Sequence, residues 1–278
     1  MKLIHTGDWH LGKLVNQVSM LEDQNYLLEQ FAALIEREKP DAVLIAGDLY
    51  DRALPPAEAV ELMDRTLTKL VDELQTPVLA VAGNHDSPDR IDFGRRLFCD
   101  RRLYIEGRIH LPLSPVWLTD GDGAVACYLL PYAHPSEVRT LLDDETIKTH
   151  EDAFRALIET IPAAQAGERR VLITHGYFQG GEPVETSESE RPLAIGGSDL
   201  VSAGLLEGFQ YVALGHLHGP QRVTKRVYYA GSLLKYSFSE ARQAKSVTVV
   251  EMDAAGAVQV RREALKPWRD MRCIKGEL

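Results

Sequence analysis

The sequence predicts an α/β protein built as two β-sheets packed face to face, with helices outside. Three observations carry that expectation. Strand and helix patterns alternate through the first half, the last third reads mainly as strands, and the strongest strands are apolar on both faces. With 278 residues, 45% hydrophobic and 26% charged, the chain has ordinary globular composition and length for one large domain or two small ones.

Residues 2–6 read as a short strand ending at the turn Gly7-Asp8. Across residues 20–38, Leu21, Leu27, Leu28, Phe31, Leu34 and Ile35 recur at helical spacing, and Pro40 closes that helix. Residues 41–46 form a continuous apolar strand of the kind a parallel sheet covers on both faces. Pro55-Pro56 opens a second helix over residues 57–74, and residues 77–82 are a third buried strand. This βαβαβ order implies right-handed parallel crossovers. Residues 125–130 then read as strand, 151–161 as helix and 170–174 as strand, before a polar loop over 180–197. Residues 211–214, 227–230, 246–252 and 258–263 read as strands.

Several classes are disfavoured. The longest purely apolar run, residues 124–130, has seven residues, against the ~20 that a membrane-spanning helix needs. The first residues, Met1-Lys2-Leu3-Ile4-His5-Thr6-Gly7-Asp8, place polar groups where a signal peptide needs an apolar stretch. Cys99, Cys127 and Cys273 lie far apart without a CxxC pair, which supports neither a disulfide framework nor a thiolate zinc site and fits a reducing cytoplasm. Lys plus Arg is 31 against Asp plus Glu of 41, a net charge of −10 with a pI near 5.4. Charge alone therefore disfavours a nucleic-acid-binding module, and any such contact must rest on local patches or on metal ions. The segment Gly7-Asp8-Trp9-His10-Leu11-Gly12-Lys13 has the outline of a phosphate-binding P-loop, but Leu14 replaces the magnesium-binding hydroxyl.

The chemistry gathers after the strands. The first leads into Asp8-Trp9-His10, the second into Gly47-Asp48-Leu49-Tyr50-Asp51, and the third into Gly83-Asn84-His85-Asp86. Two later strands lead into His175-Gly176 and Gly215-His216-Leu217-His218. The carboxyl edge of an α/β sheet is where ligands bind. Asp8 and His10, like His216 and His218, are two apart, which in extended backbone points both side chains the same way. Taken singly, Asp-x-His is an ordinary solvated turn and Gly-Asn-His-Asp a favoured turn sequence. Five such clusters after five strands point to a metal site. Carboxylate, amide oxygen and imidazole without thiolate suit manganese, iron, zinc or cobalt.

Asp-x-His, Gly-Asp-x-x-Asp, Gly-Asn-His-Asp, a single His before Gly, and Gly-His-x-His resemble the five signatures of the calcineurin-like metallophosphoesterases. Within that family, His5-Thr6-Gly7-Asp8-Trp9-His10-Leu11-Gly12 and Ala230-Gly231-Ser232-Leu233-Leu234-Lys235-Tyr236-Ser237-Phe238-Ser239-Glu240 resemble the SbcD group, the nuclease subunits of bacterial SbcCD DNA-repair complexes. The stretch Ser187-Glu188-Ser189-Glu190-Arg191-Pro192-Leu193 resembles the same group. The resemblance implies a metallophosphoesterase (nuclease) domain over residues 1–265. It also implies that residues 266–278 begin a linker to a capping domain absent from this chain.

The resemblance further implies a site of two divalent metal ions, most often manganese. Asp48 would bridge them, Asp8, His10 and His218 would complete one set of ligands, and Asn84, His175 and His216 the other. Two such ions acidify a bridging water and clamp phosphate oxygens. His85 would face the scissile phosphate as an acid or transition-state stabiliser. Asp86 is expected to orient His85 by accepting its other ring proton. Asp51 is assigned to nearby backbone or a ligand, without a direct chemical role. His5, His110, His134 and His150 match no motif and are expected to be structural. The activity implied is a DNA nuclease, exonucleolytic on duplex ends and endonucleolytic on single strands or hairpins, in double-strand break repair and recombination. The expected partners are DNA, an SbcC-type ATPase whose binding helices are missing here, and a second copy of the chain. Six arginines, Arg90, Arg95, Arg96, Arg101, Arg102 and Arg108, follow the Gly-Asn-His-Asp turn and either reach DNA phosphates or form local ion pairs. The competing activity is a metallophosphoesterase acting on a nucleotide or other small phosphodiester. A scaffold that had lost catalysis should have lost ligands, and none is missing.

Overall fold

A computed structural model describes residues 1–190, 199–274 and 276. In chain order the main elements are β1 (Lys2–Thr6), α1 (Leu21–Glu38), β2 (Ala42–Ala46), α2 (Ala57–Thr68), β3 (Val78–Val81), β4 (Leu103–Glu106), β5 (Val116–Asp120) and β6 (Gly123–Leu130). They continue as α3 (Pro135–Leu142), α4 (His150–Glu159), β7 (Arg169–His175), β8 (Tyr211–Gly215), β9 (Gln221–Arg222), β10 (Val227–Tyr229), β11 (Ser246–Met252) and β12 (Val258–Ala264). One six-stranded sheet has the order β12-β11-β1-β2-β3-β4, the other β9-β10-β8-β7-β6-β5. The strands β1 to β4 pair in parallel, as do β10, β8, β7 and β6. Antiparallel strands form the outer parts: β11 and β12 in the first sheet, β5 and β9 in the second.

The uninterrupted apolar runs of the central strands follow from this layering. In β2, Val43 and Ile45 pack with Leu27, Phe31 and Leu62 from α1 and α2, whereas Ala42, Leu44 and Ala46 pack with Val171, Ile173, Tyr211 and Ala213 of the opposite sheet. On the far side, Leu172, Val212 and Leu214 meet Phe154 and Leu157 of α4. Both faces of the central strands are therefore dry, as parallel sheets require. Phe31 is fully buried, and truncating such a side chain to Ala costs about 3–5 kcal/mol.

Sequence-local signals set the helix ends. Lys39 adopts the left-handed conformation after α1 and donates its N–H to Ile35 O, and Pro40 follows. Thr149 and Asp152 form a reciprocal capping box at the start of α4. The helix expected over 57–74 instead stops at Thr68 and continues as a π-helical turn, Lys69–Glu73. Several elements escaped the sequence reading, among them the two-residue β9. β4 is short, β5 is an outer strand with an exposed Trp117 and only one buried residue, and α3 is a two-turn helix capped by the His134 side chain. Flanking the polar loop, Tyr177–Gln179 pairs with Leu200–Ser202. Arg191, Pro192 and Leu193 of the quoted stretch lie outside the described residues. Among the described residues no helix is long and apolar enough to cross a membrane.

The histidines outside the motifs have local partners. His110 lies 2.9 Å from Glu106 Oε2, His134 caps α3, and His150 Nε2 lies 2.9 Å from Tyr132 Oη. His5 joins the two sheets: Nε2 donates to Leu214 O at 3.1 Å, so Nδ1 accepts from Tyr211 Oη at 2.8 Å. Burial lowers its pKa from 6.5 to about 3. Below about 6.5 the unfolded chain therefore binds a proton that the native chain refuses, and His5 lowers stability by up to about 1.4 kcal/mol per pH unit. His5→Gln removes this dependence. Urea titrations at pH 7 and pH 5 should show the stability gap between wild type and His5→Gln narrowing by roughly 1–2 kcal/mol. A constant gap would refute the assignment.

Candidate metal centre

The carboxyl ends of β1, β2 and β3 in one sheet meet those of β7 and β8 in the other. His175 Nδ1 donates to Ala46 O across the gap at 2.9 Å, and His216 N donates to Asp8 Oδ1 at 2.8 Å. The approach is close enough that a Cβ on Gly215 would sit 1.8 Å from Ala46 O, and one on Gly83 2.1 Å from Asp48 Oδ1. Only glycine fits either position.

The chain presents its polar groups by kinking sharply after each strand. Asp8, His10, Asp48 and His216 all have positive φ, between 46° and 113°. Such backbone costs of order 1–3 kcal/mol per residue and persists where surrounding contacts enforce it. Those contacts are visible: Gln24 of α1 donates to Trp9 O at 3.1 Å and His10 O at 2.8 Å, and Tyr236 Oη donates to Trp9 O at 2.5 Å.

Asp8, His10, Asp48, His175, His216 and His218 are buried, and Asn84 is half-buried. Two groups that share Asp8 converge, Asp8 with His10 and His218, and Asp8 with Asp48 and His175, while His10 also converges with Asp51 and His85. His10 Nε2 and His218 Nε2 are 3.0 Å apart. Asn84 Oδ1 lies 2.9 Å from His175 Nε2 and 3.3 Å from His216 Nδ1. Asp48 Oδ2 stands between the groups, 3.6 Å from His10 Nε2 and 3.5 Å from His175 Nε2.

The electrostatics fit a cation. Burial holds the imidazoles of His10, His175, His216 and His218 below their ordinary pKa, so they are neutral and keep a lone pair. Burial, reinforced by the Asp48 charge, pushes the Asp8 carboxyl well above the carboxylate range. Asp8 Oδ2 is buried and has no hydrogen-bond partner among the described residues. Converging nitrogen lone pairs and an orphaned carboxylate oxygen are what a divalent ion would satisfy. The described donors are oxygen and nitrogen, without thiolate.

His85 lies at the solvent side, its ring 4.7 Å from that of His10. Its N–H donates to Asp48 Oδ1 at 2.9 Å, and its Nδ1 donates to the backbone oxygen of Asp51 at 2.8 Å. This corrects the role expected for Asp86. The Asp86 carboxylate accepts from the N–H groups of Leu49, Tyr50 and Gly83 at 2.9–3.0 Å and ties the two loops together. Burial, then the Asp48 charge, pushes its pKa up to about 7.

The sequence assigned no role to several other residues around the centre, although the resemblance quotes the stretches that hold Ser189, Glu190 and Glu240. Gln24 is a polar residue on a helix face. Ser189 and Glu190 lie in the polar loop, and Lys245 sits outside every motif. Glu240 closes the Gly231–Glu240 stretch but carries no ligand pattern. The arginine segment divides: Arg95 pairs with Glu106 at 2.5 Å and Arg108 with Asp89. Arg90, Arg96, Arg101 and Arg102 make no ion pair among the described residues. His110, Asp92 and Glu106 also cluster, but Arg95 already neutralises the carboxylates. A concavity of about 520 Å³ opens beside His85, lined by Lys13, Asp51, Arg52, Ala53, Asn84, His85 and Asp86. An apolar cleft of about 530 Å³ lies elsewhere, against Leu233, Phe238 and Leu265, and contains none of the candidate ligands.

Residues 1–220 match the calcineurin-like phosphoesterase family. Similar solved structures include a putative 5'-nucleotidase from Staphylococcus aureus in complex with alpha-ketoglutarate, at 15% identity and TM-score 0.48. That match covers 100% of this chain and 56% of the other, so the chain spans little more than half of that relative's length. TT1561 of Thermus thermophilus matches at 13% identity and TM-score 0.47, over 94% of this chain and 98% of the other. YfcE, a phosphoesterase from E. coli, matches at 16% identity and TM-score 0.34, over 96% and 100%. The chain belongs to the calcineurin-like phosphoesterase family, and its Asp/His clusters suit the divalent metals of a metal-dependent hydrolase.

The near-equal distances from Asp48 to the two groups lead to a direct test. Asp48→Asn should reduce bound metal at both positions, read by elemental analysis after gel filtration. Retention of one full equivalent would show that Asp48 serves a single ion.

Proposed function

We propose that this chain is a two-metal DNA nuclease of the SbcD type, with manganese as its metal and a role in DNA double-strand break repair and recombination. The observation that supports this reading is where its narrower resemblance falls. Residues of the Gly231–Glu240 stretch touch the centre: Tyr236 bonds Trp9 O between Asp8 and His10, and Glu240 lies 3.4 Å from His218 Nδ1. The features that resemble nuclease subunits are therefore part of the metal-site architecture.

Asp8, His10, Asp48 and His218 would hold one ion, and Asp48, Asn84, His175 and His216 the other. Bound there, the ions supply an acidified water and neutralise charge on the phosphate. Asp8 and Asp48 bring two formal negative charges against four positive ones, which leaves an anion-attracting site. His85 has Nδ1 committed to Asp51 O, so Nε2 is the nitrogen left to face a phosphodiester and pass a proton to the leaving oxygen. Lys13, held by Asp51 at 2.6 Å, and the exposed Arg52 place positive charge on the rim. DNA, an SbcC-type ATPase and a second copy of the chain are the partners that go with this reading. A second activity has its own support. A concavity of about 520 Å³ is within the size range of small-ligand sites, which suits a nucleotide or other small phosphodiester.

The deciding assay offers the purified chain manganese with blunt duplex DNA, a DNA hairpin, bis-p-nitrophenyl phosphate and a cyclic nucleotide. Cleavage of DNA supports the nuclease reading, whereas turnover of the small diesters alone supports the second. His85→Ala should lower turnover by about 10²–10⁴-fold with metal content unchanged. Loss of the metals in that variant would remove His85 from the acid role.

A further inference from the structure

His218 is held at its backbone N–H, its carbonyl and its ring. Its N–H donates to Glu190 Oε1 at 2.8 Å, and its carbonyl accepts from Lys245 Nζ at 2.8 Å and Ser232 N at 3.2 Å. Its Nδ1 lies 2.7 Å from Ser189 Oγ and 3.4 Å from Glu240 Oε1. Glu240 is fully buried, and its other oxygen is 2.5 Å from Lys245 Nζ. Lys245 Nζ also lies 2.9 Å from Ser232 Oγ and 2.7 Å from Gln243 Oε1, so its three hydrogens are shared among four acceptors.

The direction of these bonds is determined by elimination. Glu240, paired with the Lys245 ammonium, is an ionised carboxylate and can only accept. Ser189 Oγ is hydrogen-bonded to Glu240 Oε1, so the serine spends its one hydroxyl proton there. Toward His218 Nδ1 the same oxygen can then only accept, and Nδ1 must carry the ring hydrogen. Ser187 Oγ, 2.9 Å away, is left to donate to Ser189. The His218 Nε2 that faces His10 therefore presents a bare lone pair.

We infer that Ser189 and Glu240, backed by Lys245, are positioning residues that lock His218 in its Nδ1–H tautomer and so prepare Nε2 as a metal donor before any metal arrives. In the opposite tautomer a hydrogen on Nε2 would occupy the ligand position. Metal-bound histidines depend on such partners for ring orientation and basicity. Ser189 and Glu190 belong to the polar loop and Glu240 and Lys245 to a segment some fifty residues later, so the relay also makes docking of that loop a condition of the ligand set. The inference rests on His218 as a metal ligand and is independent of whether the substrate is DNA.

Two readouts test it. In metal-free protein with ¹⁵N-labelled histidine, two-bond ¹⁵N–¹H correlation reads the tautomer directly. Calorimetric titration with Mn²⁺ reads affinity. Wild type should show His218 as Nδ1–H. His175, whose Nδ1 donates to Ala46 O, serves as an internal control that keeps Nδ1–H throughout. Ser189→Ala and the paired change Glu240→Gln with Lys245→Met, which avoids leaving a buried ammonium alone, should move His218 toward Nε2–H. One Mn²⁺ should weaken by about 10–100-fold while the other is unchanged, and Ser189→Thr should restore near wild-type binding. Folded variants in which His218 stays Nδ1–H and Mn²⁺ affinity is unaltered would overturn the inference and reduce the network to a loop anchor. A normal tautomer shift with no Mn²⁺ binding in wild type would instead refute the ligand role of His218.

Discussion

The carbonyl oxygen of Ala46 is the point on which the two sheets close. It accepts the Nδ1–H of His175, and it approaches Gly215 so closely that no side chain could stand between them. That single contact brings the carboxyl end of β2 against those of β7 and β8. It also settles the tautomer of His175: a carbonyl only accepts, so Nδ1 carries the hydrogen and Nε2 faces Asn84 and Asp48 with a lone pair. The core between the sheets, from Leu3 and Leu44 to Val171 and Ala213, supplies the attraction, while the glycines remove the steric obstacle.

Burying so many polar groups is unfavourable on its own terms. Asp8 and Asp48 repel each other in a dry interior, four candidate ligands sit in left-handed backbone, and Asp8 Oδ2 has no partner among the described residues. The surrounding hydrogen bonds offset part of this by fixing backbone rather than by neutralising charge: Gln24 and Tyr236 hold the Asp8–His10 turn, and Asp86 holds the loops after β2 and β3. A site that is rigid but electrostatically unsatisfied favours binding of a cation, because little ordering remains to be done when the ion arrives.

The fold was legible where both faces of a strand are covered, because the apolar run over 42–46 has few other uses in a globular chain. β5, with one buried residue and an exposed Trp117, leaves too weak an alternation to read. At the centre, the residues after the strands could be picked out because metal-ligand side chains recur at short spacing beside glycine. What the sequence does not carry is hydrogen-bond direction. Asp86 adjoins His85 in the chain and looked like its natural partner, yet the turn points that carboxylate at three backbone N–H groups. Glu240 and Ser189 reach His218 from 22 and 29 residues away, a relation that spacing cannot display.

Asp51 shows how much one such long-range placement can join. Its backbone oxygen holds His85 Nδ1 at 2.8 Å, its carboxylate holds Lys13 Nζ at 2.6 Å, and the same carboxylate oxygen lies 3.7 Å from His10 Nδ1. The sequence offered no chemical role for it. Structurally it connects the proposed proton donor, a candidate ligand and the rim cation through one residue. The backbone bond survives any substitution of the side chain, whereas the Lys13 pair does not. His85 orientation and rim charge are thus separable at a single position, and the ligands need not change for the rim to select a different phosphate ester.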